Sequence, residues 1–180
     1  TYGRCQCYSQ SRNETWEFTY IMNNMIELSK SEGFQASLVG IQRNIEAILD
    51  GRKTAFGKDK TWTIHIEGAC GELAVSKYMN AYWGGSVNTF KSDGDLCNGW
   101  EVRTRSKDDW DLIIRNNDPE DRIYILVTGL FPKYFIKGWI KGKQGKQNQF
   151  YKNYGNYGHA WFVPQNYLQP MKNLKGSYNE

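Results

Sequence analysis

The sequence predicts an α/β protein, and three observations carry that expectation. Apolar residues recur at helical spacing through the first 50 positions. A continuous apolar run, "RIYILVTGL" at 122–130, reads as a central strand buried on both faces. Around it lie short segments in which apolar and polar residues alternate, the mark of half-buried strands.

Taken in order, the elements begin with Phe18, Ile21, Met22, Met25 and Leu28, spaced for one helical stripe. Gly33 then interrupts, and Leu38, Ile41, Ile45, Ile48 and Leu49 form a second stripe ended by Asp50 and Gly51. The two predict a helical hairpin or one kinked helix, and these Met and Ile positions read as packing. Residues 52–60 form a basic, polar loop. "IHIEGACGELAVSKYMNAYW" (64–83) reads as a strand or turn leading into a helix, with small residues from Gly68 to Ala74 and Glu72 projecting from them. Strands are expected at "SVNTF" (86–90), "WEVRTR" (100–105), "DLIIR" (111–115), 122–130, "YFIKGWI" (134–140) and "HAWFVP" (159–164). "NNDPED" (116–121) is a turn by composition. The chain is expected to form one domain, with 1–60 a helical N-terminal segment and 61–170 the core.

Composition narrows the class. At 39% hydrophobic and 23% charged residues, the chain is neither disordered nor membrane-embedded, and no apolar run approaches the roughly 18 residues of a span. No apolar signal core opens the sequence, so a cytoplasmic protein is expected, with Cys5, Cys7, Cys70 and Cys97 as free thiols. Four cysteines and two histidines at these positions support zinc only weakly. Net charge is +4, unevenly spread: residues 1–121 carry 14 Lys and Arg against 18 Asp and Glu, whereas 122–180 carry nine against one. That asymmetry fits either a polyanionic partner or a solvated lysine surface. Lys141, Lys143, Lys146 and Lys152 interleave with Phe150, Tyr151, Tyr154 and Tyr157, a mixture able to neutralise phosphates and stack on unpaired bases. With Arg105 and Lys137, the residues Lys141, Lys143, Lys146, Lys152, Tyr151 and Tyr154 form the expected nucleic-acid surface.

The segment "DGDLCNGWEVRTR" (93–105) holds the chemistry. Alternation in "WEVRTR" sets Trp100, Val102 and Thr104 on one face and Glu101, Arg103 and Arg105 on the other. A tight return through "LCNG" brings Asp95 beside Glu101. Two convergent carboxylates favour a cation between them, and oxygen ligands suit Mg²⁺ or Mn²⁺. The plainer alternative is a solvated turn followed by an exposed Glu101–Arg103 pair. His65 reads first as a packed histidine and second as a base near this site. Gln165 has no assigned role.

A helix glutamate in "GELA", then Asp95, then "EVR" at 101–103 resembles the PD-(D/E)XK, or restriction-endonuclease-like, nuclease superfamily. "GACGELAVSK", "DWDLIIRNNDPEDRIYILVTG", "IKGWI" and "AWFVPQ" extend the resemblance to uncharacterised phage proteins that look like members, over about residues 60–168. The resemblance implies a mixed β-sheet flanked by helices and a Mg²⁺- or Mn²⁺-dependent endonuclease or exonuclease acting on nucleic acid, DNA above all. Asp95 and Glu101 would be metal ligands, with Glu72 completing the shell or holding a metal-bound water, and Asp93 a substitute for Asp95. Arg103 takes the lysine place of the catalytic set. It stays protonated, so it can hold a phosphate but cannot serve as a base. The family core usually places a helix after the motif strand, whereas here "DLIIR" follows. These departures keep a second expectation open: a nuclease-fold nucleic-acid-binding or phage assembly protein without hydrolysis.

Overall fold

The computed structural model describes residues 24–52, 61–87, 94–96, 99–153 and 158–176. Phe18, Ile21, Met22, Asp93 and Tyr154 lie outside these, as does most of the expected strand at 86–90.

The described chain is a mixed α/β structure. Strand β1 (Met25–Glu27) leads into helix α1 (Lys30–Leu49) and helix α2 (Thr61–Met79). Then come β2 (Glu101–Arg105), β3 (Leu112–Arg115), β4 (Ile123–Leu130) and β5 (Lys133–Lys141). A single helical turn, α3 (Gly142–Gly145), precedes β6 (Tyr151–Asn153), β7 (His159–Val163) and α4 (Met171–Gly176).

Two expectations near the start are corrected. Met25 belongs to a strand and Leu28 to the link after it, because Met25–Glu27 pairs with β5. Gly33 sits inside α1, directly after a capping box: the Ser29 hydroxyl accepts from the Glu32 amide (3.2 Å), and the Glu32 carboxylate accepts from the Ser29 amide (2.6 Å). "IHIEG" is also helical throughout, as part of α2.

One sheet is mixed, in the order β1-β5-β4-β2, with β2 and β4 parallel and the other pairs antiparallel. A second sheet, β3-β7-β6, is antiparallel. The link from β2 to β4 therefore carries a strand of the second sheet, not a helix.

Two apolar clusters fill the space on either side of the mixed sheet. Ala69, Cys70, Ala74 and Val75 of α2 meet Val102, Ile125, Val127, Tyr134 and Ile136, with Met171 and Leu174 of α4 in the same cluster. Tyr124, Leu126 and Ile140 meet Leu112, Ile114 and Val163 of the second sheet. β4 supplies alternate residues to both clusters, so its apolar run is continuous. In β5 the phase changes. Tyr134 and Ile136 face the helices, while Ile140 faces the second sheet, because the register shifts at Leu126/Val127 where a bulge inserts one residue.

Close approach of backbones sets the layers. A Cβ at Gly71 would collide with Thr104 Oγ1, so α2 rests directly on β2. A Cβ at Gly40 would lie 2.5 Å from Ile66 Cα, so α1 rests directly on α2. Only glycine admits either contact.

Candidate functional site

The contact at Gly71 puts the next residue, Glu72, against the start of β2. The contact at Gly40 brings Arg43, one turn on, to the same place. A cleft of about 300 Å³ opens there, lined by Arg43 and His65 from one side and Asp95, Glu101, Arg103 and Asp118 from the other, with Glu72 between. Asp95, Glu101, Arg103 and Glu72 are thus brought together.

Each side chain is held by a traceable interaction. The Asp95 amide donates to the Trp100 carbonyl (2.9 Å), closing the return that the sequence implied. Asp95 Oδ2 then accepts from the Val102 amide (2.8 Å), which locks the carboxylate against β2. Glu101 and Arg103 stand on one face of that strand. Arg103 Nη1 donates to Glu101 Oε2 (3.1 Å) and Nη2 to Asp118 Oδ2 (2.9 Å), and Nη1 lies 3.9 Å from Asp95 Oδ2. The Arg103 Nε is buried with no hydrogen-bond partner. Arg122, just before β4, pairs with Glu101 Oε1. Asp118 also accepts from the Arg115 amide (2.8 Å), so the 116–121 turn caps the end of β3 and closes the cleft.

Glu72 is already engaged. Arg43 Nη1 and Nη2 donate to its two oxygens at 2.6 and 2.8 Å, a bidentate pair with both side chains under 10% exposed. Arg43 also donates to the Ser86 carbonyl through Nε (2.9 Å) and Nη2 (2.7 Å).

The electrostatics follow from this crowding. Burial, and then the charges of Glu72 and Glu101, push Asp95 up to about 7; the Val102 amide and Arg103 only partly oppose them. Burial alone would pull Arg103 down, but Asp118, Glu101 and Asp95 outweigh it and hold the guanidinium above its ordinary value. Burial and the nearby Arg43 and Arg52 lower His65, so its neutral form is favoured at pH 7.

Among the described residues, no three His, Cys, Asp or Glu side chains form a ready metal cage. The donor chemistry nevertheless fits a hard divalent cation. Asp95 and Glu101 offer oxygens only, and a cation between them would relieve the repulsion that raises Asp95. It would compete with Arg103 and Arg122 for Glu101, and with Arg43 if Glu72 joined.

The expected lysine-rich surface lies elsewhere. None of residues 133–152 lines the cleft. The reason is the 116–122 segment, which stands between: the Gly142 amide donates to the Arg122 carbonyl, and the Lys143 amide to the Glu120 carbonyl. Lys146 touches the cleft wall from behind, donating to the carbonyls of Asn116 (3.0 Å) and Asp118 (2.6 Å). Lys137 pairs with Asp108 (2.6 Å), and Lys141, Lys143, Lys152 and Tyr151 are exposed. Tyr151 stacks on His159 (5.4 Å) and tilts against Trp161, over which Lys146 also sits. Arg105 lies over the Trp110 ring at 4.4 Å. Gln165 gains a role: its amide nitrogen holds the carbonyls of Asp108 (2.6 Å) and Trp110 (3.1 Å), fixing the loop between β2 and β3.

Sequence reasoning missed Arg43, Asp118 and Arg122. Arg43 had a signal, since it shares a helical face with Ala36, Gly40 and Ala47, and a long cation among small residues needs a buried partner. Asp118 had none beyond its turn composition.

No helix among the described residues is long and apolar enough to cross a membrane. Compared with known proteins, the chain matches no family model, no curated protein and no solved structure.

Proposed function

We propose that this protein is a metal-dependent nuclease that hydrolyses phosphodiester bonds of nucleic acid, with DNA the expected substrate. The observation that carries the reading is convergence: a helix glutamate, an aspartate from a tight turn and a strand glutamate with its arginine meet in one cleft, in the order of the PD-(D/E)XK motif. Asp95 and Glu101 would hold Mg²⁺ or Mn²⁺, which when bound polarises the phosphate and lowers the pKa of a coordinated water.

The chain's own residues divide the remaining work. Arg103 is fixed in its protonated form by Asp118 and Glu101, so it orients a phosphate oxygen and offsets the charge that builds on phosphorus. It removes no proton. His65 lies on the cleft wall, where burial and the charges of Arg43 and Arg52 disfavour its protonated form and keep it neutral. Arg43 positions Glu72 and neutralises it. Lys146 supports the Asp118 turn from behind, while exposed Lys141, Lys143, Lys152 and Tyr151 offer a separate contact surface for the polyanion.

One observation favours a second reading, binding without hydrolysis. The carboxylates of Glu72 and Glu101 are both neutralised by arginines of the chain itself, which is how a cleft is stabilised without a metal. The deciding experiment incubates the full chain with DNA and RNA panels in Mg²⁺ or Mn²⁺. Cleavage that EDTA stops and Glu101→Ala abolishes, with nucleic-acid binding kept, supports the nuclease. Binding without cleavage in either metal moves the conclusion to the second reading.

A further inference from the structure

Four arginines line the cleft, and three of them are committed to its carboxylates. Arg43 holds Glu72, Arg103 bridges Glu101 and Asp118, and Arg122 holds Glu101. The fourth, Arg115, differs. Among the described residues its guanidinium makes no hydrogen bond and no ion pair. Its tie to Asp118 runs through the backbone amide, which donates to Oδ2 (2.8 Å). Arg103 Nη2 donates to that same oxygen (2.9 Å), so Asp118 sets the root of Arg115 beside the Arg103 head. Desolvation, and then the charge of Arg103, pull Arg115 below the ordinary arginine value; Asp118 and Glu101 only partly oppose them. A cation set against another cation in a cleft is short of an anion.

The backbone that carries Arg115 is fixed at several points. Arg115 ends β3, paired with Ala160 of β7. Asn116 Nδ2 donates to the His159 carbonyl (3.3 Å), and Lys146 holds the carbonyls of Asn116 and Asp118. Asn117 also lines the cleft, and its side-chain amide has no hydrogen bond among the described residues. Arg115 and Asn117 are both exposed. A held turn thus presents an uncommitted guanidinium and an uncommitted amide to whatever enters, which is the arrangement of a preorganised binding site.

We propose that Arg115, with Asn117 beside it, binds a phosphate group in the cleft. The planar guanidinium matches two phosphate oxygens, and the asparagine N–H adds a further donor. An anion there also offsets the repulsion between Arg103 and Arg115. The source of the phosphate rests on the nuclease reading above: it is a backbone phosphate of the bound strand, and Arg115 is a positioning residue for that strand.

The test titrates the full chain, in EDTA so that metal-dependent cleavage does not intervene, into fluorescein-labelled DNA followed by anisotropy. Arg115→Gln should weaken binding about tenfold and lower the slope of log affinity against log salt by about one, the loss of one phosphate contact. Arg115→Lys should keep the slope and lose part of the affinity, because it keeps the charge without the fork. Asn117→Ala should weaken binding less and leave the slope unchanged, because no charge is removed. Lys172→Gln, which removes the same charge from α4 outside the cleft lining, is the control. Circular dichroism checks the fold, and Arg115→Ala replaces the glutamine variant if that one fails to fold. An Arg115→Gln chain that loses no more than Lys172→Gln overturns the proposal. Wild-type cleavage in Mg²⁺ with binding indifferent to Arg115 overturns the phosphate site alone; Arg115-dependent binding without cleavage keeps the site and removes hydrolysis. If wild type binds no nucleic acid, melting in inorganic phosphate against chloride of equal ionic strength decides. A rise in wild type that Arg115→Gln lacks keeps the site with free phosphate as its ligand, and no rise overturns it.

Discussion

At the scale of single residues, Asp95 and Arg43 carry the clearest consequences. Asp95 titrates near 7 when folded and near 3.8 when unfolded, so the folded state holds its proton more tightly. Its contribution is therefore most favourable below about pH 4 and is lost as pH rises to about 7, after which the penalty is constant. Asp95→Asn keeps the acceptor for the Val102 amide but removes the charge. In EDTA it should melt higher than wild type at pH 8, by a few kcal/mol of stability, with the gain shrinking towards pH 4; a gain independent of pH would show that Asp95 is not raised. If a divalent cation binds as proposed, Mn²⁺ should raise the melting temperature of wild type at pH 8 and leave Asp95→Asn unchanged. The Arg43–Glu72 pair is a second handle. Arg43→Met leaves a buried carboxylate without its cation and should destabilise by about 3–5 kcal/mol in urea denaturation. Arg43→Met with Glu72→Leu should recover most of that, since a buried ion pair replaced by apolar groups is often neutral. A double variant as unstable as the single would mean the cleft depends on the pair for more than charge balance.

At the scale of elements, the cleft depends on how closely α2 approaches β2. Gly71→Ala drives a methyl group into Thr104 Oγ1, so the helix must lift or the strand must bend. Overpacking of this kind costs about 1–3 kcal/mol. It should also move Glu72 away from Asp95, so the Asp95 titration, followed by carboxyl NMR, should shift downward. Thr104→Ala in the same chain should restore part of both, because it removes the colliding hydroxyl. The elements also show where local patterns are readable and where they are not. Alternation in 100–105 correctly set Trp100 and Val102 inward and Glu101 and Arg103 together, because a strand has period two whatever surrounds it. The same kind of pattern at 25–28 misled. Met25 and Leu28 fit a helical stripe, yet the edge of β5 offered Met25–Glu27 a hydrogen-bonding partner, and pairing outweighed spacing. The better local signal was Ser29-x-x-Glu32, whose reciprocal bonds start α1 and leave Gly33 inside its first turn.

At the scale of the molecule, charge and layers are separate designs. Of the positive second half, Arg122 lines the cleft, but none of the described lysines from 133 onward does; they cover the far side of the 116–122 turn and the edge of the second sheet. Binding should weaken with salt, falling at least about tenfold between 50 and 200 mM if three phosphates are neutralised. Lys141, Lys143 and Lys152 changed together to Gln should reduce the slope of log affinity against log salt by about three, measured by fluorescence anisotropy; an unchanged slope would remove this surface from the interface. The second sheet explains the departure noted after the motif strand. "DLIIR" is a strand, and its partner is "HAWFV", forty-odd residues later, so the crossover from β2 to β4 is covered by a sheet where a helix was the family expectation.

By itself the sequence determined the strands from 100 onward except β6, the return that sets Asp95 beside Glu101, and the oxygen-rich chemistry of the cleft. Those depend on period, turn composition and neighbours within about ten residues, and such interactions are the same in any fold that keeps the local backbone. Only the tertiary structure decided that Glu72 would be clamped by Arg43, 29 positions earlier, that Asp118 and Arg122 would share Arg103 and Glu101, and that the lysines would stand behind the turn. It also decided the fate of the α1 stripe. Spacing shows that Leu38, Ile41, Ile45 and Ile48 lie on one face, but which face meets α2 depends on how near two backbones can come. Small residues at Ala36, Gly40 and Ala47 allowed the closer contact, and the larger apolar side chains were left outside.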